Sequence, residues 1–119
     1  MKLYFLEENL AGSATQACVL VPYAGNEFFA QRNGRVRSLT ALVTELWTAG
    51  TLTVKVTKNG TAQTVLNCLI DTTNRQFDEA FGDLDDLTYS AGDRIGVQAV
   101  TSGWTPTTSD LLAILDLDD

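Results

Sequence analysis

The sequence predicts an all-β fold, an antiparallel β-sandwich of about seven or eight short strands. Three observations carry that expectation. In residues 87–101 an Ala91-Gly92-Asp93 turn runs straight into an apolar/polar alternation that puts Ile95, Val97, Ala99 and Thr101 on one face. Such a period of two is the signature of a half-buried strand. Asn59-Gly60 joins two extended runs, and both central residues of a type I′ hairpin turn need positive φ, which Asn and Gly tolerate best. Turn residues also punctuate the whole chain at short intervals, the spacing of a sandwich or barrel.

Taken in order, residues 2–6 form a first strand, followed by a small, polar loop over 9–14. Residues 16–23 read as a second extended run, with Pro22 near its end, where a missing N–H is tolerable on an edge. Residues 24–34 are a connection rich in Gly and Asn. From 35 to 47 the alternation is long and apolar on both faces, which calls for a strand covered on both sides or for a bulge that switches faces midway. Residues 51–58 alternate Thr, Val and Lys, and after the Asn59-Gly60 turn residues 61–70 form the returning strand. Residues 75–81, with Phe77 and Phe81 four apart, suit either one helical turn or a short strand. Residues 111–117 are a last strand, apolar enough to be central; helix is the competitor there, because Leu and Ala favour it.

At 119 residues the chain suits one sandwich domain spanning 1–119, since halves of it would bury too little core. A hydrophobic fraction of 45% against 19% charged fits a folded chain rather than a disordered one. The net charge of -7 argues against nucleic acid, whose phosphates need cations, and against an anionic membrane surface. It favours solubility and a basic protein partner. No run approaches the roughly 18 apolar residues of a membrane span. Glu7 and Glu8 interrupt the N-terminal apolar run before a secretion signal could form, so the expected site of synthesis is a cytosol.

Cys18 and Cys68 sit in apolar runs and read as buried reduced thiols, a disulfide between them being the alternative. Without a single His they make no zinc site, and no Ser-His-Asp or Cys-His arrangement exists in the chain. Asp83-Leu84-Asp85-Asp86 is the densest acidic cluster, yet it lacks the Gly and Glu positions of an EF-hand loop and reads as solvated. Gly92-Asp93 is turn chemistry, Gly supplying positive φ and Asp a bond to the backbone ahead. Asn59-Gly60-Thr61 matches a glycosylation acceptor, but the hairpin turn explains those residues. The inventory predicts no enzyme and no cofactor.

The candidate contact residues are few. Trp104 lies in a loop of Thr, Ser, Gly and Pro, where an aromatic side chain can stack on a sugar or anchor an interface. Trp47, at a strand end, caps the core. Arg32, Arg35 and Arg37 make a basic cluster that suits an acidic tail such as Asp116-Leu117-Asp118-Asp119 on a neighbouring subunit. Residues 1–10 read as a possible arm or edge strand that adds to a partner, with Tyr4 and Phe5 as its contacts.

The strand beginning Gly34-Arg35-Val36-Arg37-Ser38-Leu39, the Thr/Val hairpin closed by Asn59-Gly60, and Tyr89-Ser90-Ala91-Gly92-Asp93-Arg94-Ile95-Gly96-Val97 together resemble small jelly-roll modules of tailed-phage structural proteins. These are the head decoration proteins and the fibre or tail accessory domains. Similar Gly-Asp strand starts occur in the tumour-necrosis-factor and C1q-like trimer folds. The resemblance covers residues 34–117 and rests on turns and strands rather than on chemistry. It implies a jelly-roll-like sandwich, a homotrimer, and a place in a virion assembled in host cytoplasm. The implied role is a capsid decoration protein that cements the coat lattice, with the major capsid protein or another virion protein as partner. The alternative is a carbohydrate- or receptor-binding module of a fibre or tail, with Trp104 at its contact surface.

Overall fold

In the computed structural model, which describes residues 1–22, 25–83 and 87–118, every regular element is a strand. In chain order these are β1 (Lys2–Glu7), β2 (Ala14–Ala17), β3 (Val19–Val21), β4 (Glu27–Phe29), β5 (Gly34–Val43), β6 (Ala49–Lys58), β7 (Thr61–Ala62), β8 (Cys68–Ile70), β9 (Phe77–Phe81), β10 (Thr88–Tyr89), β11 (Arg94–Thr105) and β12 (Leu111–Asp118). The count exceeds seven or eight because pairs of short strands share one side of a long strand. Thus β9 and β10 both pair with β5, β7 and β8 with β6, and β2 and β4 with β11.

Two antiparallel sheets result. The first runs β10-β5-β12-β1-β3 with β9 beside β10 on β5; the second runs β2-β11-β6-β7 with β4 on β11 and β8 on β6. Their inward faces form one apolar cluster. From the first sheet come Phe5, Leu20, Val36, Leu39, Val43, Leu115 and Leu117, and from the second Leu52, Val54, Val56, Ile70, Ile95, Val97 and Ala99. The face expected of residues 95–101 is the buried one, Thr101 included.

The Asn59-Gly60 turn has φ of 53° and 83° at its two central residues, the type I′ geometry the dipeptide predicts. Asn59 then braces the neighbouring turn. Its side chain donates to Asp93 Oδ1 at 3.0 Å and accepts from Arg94 N at 2.9 Å. Asp93 in turn accepts from Ser90 N behind it, at 2.8 Å, rather than from the backbone ahead.

The bulge expected in the long strand is present. Asp116 pairs with Ser38 but Leu117 with Val36, leaving Arg37 as the extra residue. This is how Val36 and Leu39, an odd number of residues apart, both point inward.

Several expectations need correction. Residues 1–10 are neither an arm nor an edge strand: β1 is hydrogen-bonded on both sides, to β12 and β3, and Phe5 is fully buried. Residues 16–23 are not one strand. β2 belongs to the second sheet and β3 to the first, with Cys18 at the crossing, where its N–H donates to Val97 O at 2.9 Å. The connection over 24–34 contains a strand, β4. The run 61–70 breaks after β7, because Leu66 takes a positive φ of 58° and keeps its side chain in the core while the chain turns. Other expectations hold: residues 111–117 lie in a central strand, β12, and of the two readings of residues 75–81 the strand is the one present, over 77–81. Both thiols are free and buried, and burial pushes each up to about 12.

Candidate interaction surface

Five residues were expected to make contacts, and the fold divides them. Trp104 is 1% exposed. A register shift between Ser102 and Thr105, with Gly103 at φ 58°, reverses the inward–outward alternation of β11. Without that bulge Trp104 would share the outward parity of Gln98 and Val100. With it the indole turns into the core, where Nε1 donates to Pro106 O at 3.1 Å. Phe5 is likewise buried, so neither aromatic is a surface contact. Trp47 lies against the core as expected, with Nε1 donating to Gly50 O at 2.7 Å and the Arg75 guanidinium 5.3 Å from its ring centroid.

Tyr4, Arg35 and Arg37 are brought together on the outer face of the first sheet. Strand register makes that face legible row by row. Across five strands, Val19 pairs with Leu6, Leu6 with Leu112, Leu112 with Leu42, and Leu42 with Phe77. The adjacent row is Val21, Tyr4, Ile114, Thr40 and Glu79, and the next contains Lys2, Asp116, Ser38 and Phe81. Phe81 is 74% exposed, and Tyr4, Val19, Val21, Leu42 and Phe77 are also among the exposed large apolar residues.

The opposite sheet shows how unusual that face is. The corresponding outward rows of the second sheet read Ala17-Gln98-Lys55 and Thr15-Val100-Thr53-Leu69, small, polar and Thr-rich. A solvated antiparallel sheet looks like the second face; the first carries an unbroken apolar row from Val19 to Phe77 with Val21, Tyr4 and Ile114 beside it.

Apart from Glu79, in the middle row, the charged groups of this face lie at its ends. Arg35 Nε lies 3.4 Å from Asp118 Oδ2, and the Met1 amino group 3.8 Å from Asp116 Oδ1. The basic cluster and the acidic C-terminal stretch therefore meet within one chain. That stretch is no free tail: Leu117 is buried and Asp118 ends β12. Arg35, Arg37, Ser38, Phe81, Gly82 and Asp116 line a shallow depression of about 180 Å³, below the volume of a typical small-molecule pocket. A second depression, of about 230 Å³, is lined by Leu6, Glu7, Glu8, Val19 and Val21 at the far edge. Burial raises the Glu7 carboxyl above its ordinary range, with help from the neighbouring Glu8 charge. Of the acidic run 83–86, residues 84–86 lie outside the described residues, as does residue 119. Among the described residues no group of three His, Cys, Asp or Glu is placed to hold a metal ion.

The fold is an antiparallel, jelly-roll-like sandwich, and its likeness to known proteins is structural rather than sequential. No protein-family model and no curated protein matches the sequence. Among solved structures the chain is similar to a chain of the acidic stable capsid structure of Helicobacter pylori bacteriophage KHP30. The TM-score there is 0.62 and the identity 11%, over 100% of this chain and 86% of that one. It is also similar to a chain of the cyanophage Pam1 capsid asymmetric unit, with a TM-score of 0.50 and 14% identity over 100% of this chain and 84% of that one. At such identities the likeness is one of fold. The carbohydrate-binding module CBM36, solved in complex with calcium and xylotriose, superposes with a TM-score of 0.43 at 15% identity, covering 95% of this chain and 98% of that one.

Proposed function

We propose that the chain is a non-enzymatic structural protein of a phage virion, a capsid decoration protein that binds the coat lattice as a homo-oligomer. The observation that carries this reading is the broad, largely apolar outer face of the first sheet, an assembly-type surface. Its support from outside the chain is the likeness of fold, over its full length, to chains of two phage capsid structures. The partner in this reading is the major capsid protein or another virion protein, and the place of action is the virion. The sugar-binding alternative rested on Trp104 as an exposed platform, and burial of that ring removes its main support.

The test is co-sedimentation with purified coat shells of the phage whose genome encodes the chain. Saturable pelleting with the shells is the expected result. Protein that stays in the supernatant at all shell concentrations overturns the decoration role.

A further inference from the structure

The apolar face of the first sheet has two chemically different ends. At one end Lys2 and Arg37 are exposed, and Arg35 and the Met1 amino group stand against Asp118 and Asp116. The bulge at Arg37 is what aims that side chain into the depression beside Phe81 and Ser38 on this face. At the other end Glu8 borders Leu6, Val19 and Val21. Asp110, two residues before Leu112, accepts from Asn9 N at 2.9 Å there. Arg75, near the same end, is turned over the Trp47 ring.

We propose that a second copy of this chain covers the face, the two first sheets packing against each other with strands antiparallel about a two-fold axis. That rotation lays the Lys2–Arg37 end of each copy over the Glu8–Asp110 end of the other, so both ends are satisfied at once. A parallel stack would set like charge against like on a chain of net charge -7. The apolar row from Val19 to Phe77 then meets the row of Val21, Tyr4 and Ile114, which ends in Thr40 and the Glu79 carboxylate at the sheet edge.

The area suffices. Five strand positions about 4.8 Å apart and about six residues of about 3.3 Å give roughly 500 Å² per copy, or about 1,000 Å² in all, the lower bound for a specific interface. Such a pairing is self-complementary and closes at two copies. It is separate from the three-fold assembly the phage resemblance implies, and it holds whether or not the pair sits on a shell.

Light scattering coupled to size exclusion tests it on the full chain. The expected mass is twice 12.9 kDa, falling to the single-chain mass for Leu42→Glu with an unchanged circular dichroism spectrum. Phe77→Ser serves as a second probe should Leu42→Glu unfold. Lys2→Glu and Glu8→Lys should each weaken pairing at least about tenfold, and the double variant should restore it, because the rotation lays the β1 of each copy over the β1 of the other and each copy supplies both charges. A single-chain or three-chain mass for the unaltered protein overturns the proposal. So does a pair that survives both apolar substitutions, or a double variant no better than the singles. Protein that pellets with shells while a single chain in solution overturns the pair and leaves the virion role standing.

Discussion

Replacing Phe5 and Tyr4 one at a time by Ala separates a core strand from an appended arm. The two residues are adjacent on β1, yet Phe5 is fully buried and Tyr4 is 43% exposed. Phe5 lies in a row with Leu20, Ala113 and Ala41. Two of those neighbours are too small to swing into the space its ring would vacate. A Phe→Ala change in a core costs about 3–5 kcal/mol, more where the site cannot collapse, so Phe5→Ala belongs in the upper half of that range. Tyr4→Ala removes a cross-strand partner from a solvated face and costs about 1 kcal/mol or less. Against a total stability of about 5–15 kcal/mol, the first change consumes a large fraction and the second does not. At about 4 °C per kcal/mol for a chain of this size, Phe5→Ala should lower Tm by roughly 16–20 °C and Tyr4→Ala by a few degrees. The melts are to be followed by near-ultraviolet circular dichroism at low protein concentration, so that self-association does not contribute. Equal, small shifts for both variants would show that residues 1–10 are an arm after all.

Three further outcomes follow from particular residues. Gly60→Val at φ 83° meets open space and should cost about 1–2 kcal/mol of backbone strain alone. Gly50→Ala at φ 78° drives a Cβ into the backbone of Gly103 and Ser102 and should cost well over about 3 kcal/mol; urea midpoints in the reverse order would refute the geometry. Cys18 and Cys68, buried and pushed up to about 12, should ignore a thiol reagent at pH 8 in the native state and react fully in denaturant. Rapid labelling of either one in the folded protein would contradict their burial. Hydrogen bonds from Ser90 N and the Asn59 side chain hold Asp93 below its ordinary 3.8. Its contribution is therefore present above that value and lost as pH falls through the lower folded one. The stability gap between the unaltered chain and Asp93→Asn should shrink between pH 5 and the acid limit; a constant gap would mean the charge does not matter.

Local chemistry was legible in the sequence and long-range geometry was not. Asn59-Gly60 announces its turn because only a few residue types tolerate two positive φ values in succession. The two apolar faces of residues 35–47 announce either a strand covered on both sides or a bulge, and the pairing with β12 selects the bulge. The break at Leu66 left no such mark, since a Leu in left-handed backbone is held there by the core it enters. The sheet change at Cys18 is equally silent, because both halves of residues 16–23 are plain alternating strand. Trp104 misled for a related reason: a polar neighbourhood predicts an exposed ring, and the bulge that turns it inward lies in pairing with β6. The outer face of the first sheet is assembled from residues 4–6, 19–21, 40–42, 77–81 and 112–114. Each segment alone reads as half of an ordinary strand. Only the register shows that their second halves are also apolar.

The placement of β1 beside β12 has a mechanical consequence. Residue 2 faces residue 116 and the Met1 amino group donates to Leu117 O at 2.9 Å, so a tether on either end of the chain leaves from the same corner of the sheet. Pulling the two apart loads the β1–β12 ladder one rung at a time from its open end, like a zipper. A load applied between that corner and the far edge must instead slide whole strands past one another and break many rungs together. The chain is thus built to yield when its own ends are separated and to resist when it is stretched lengthwise between two anchorage points.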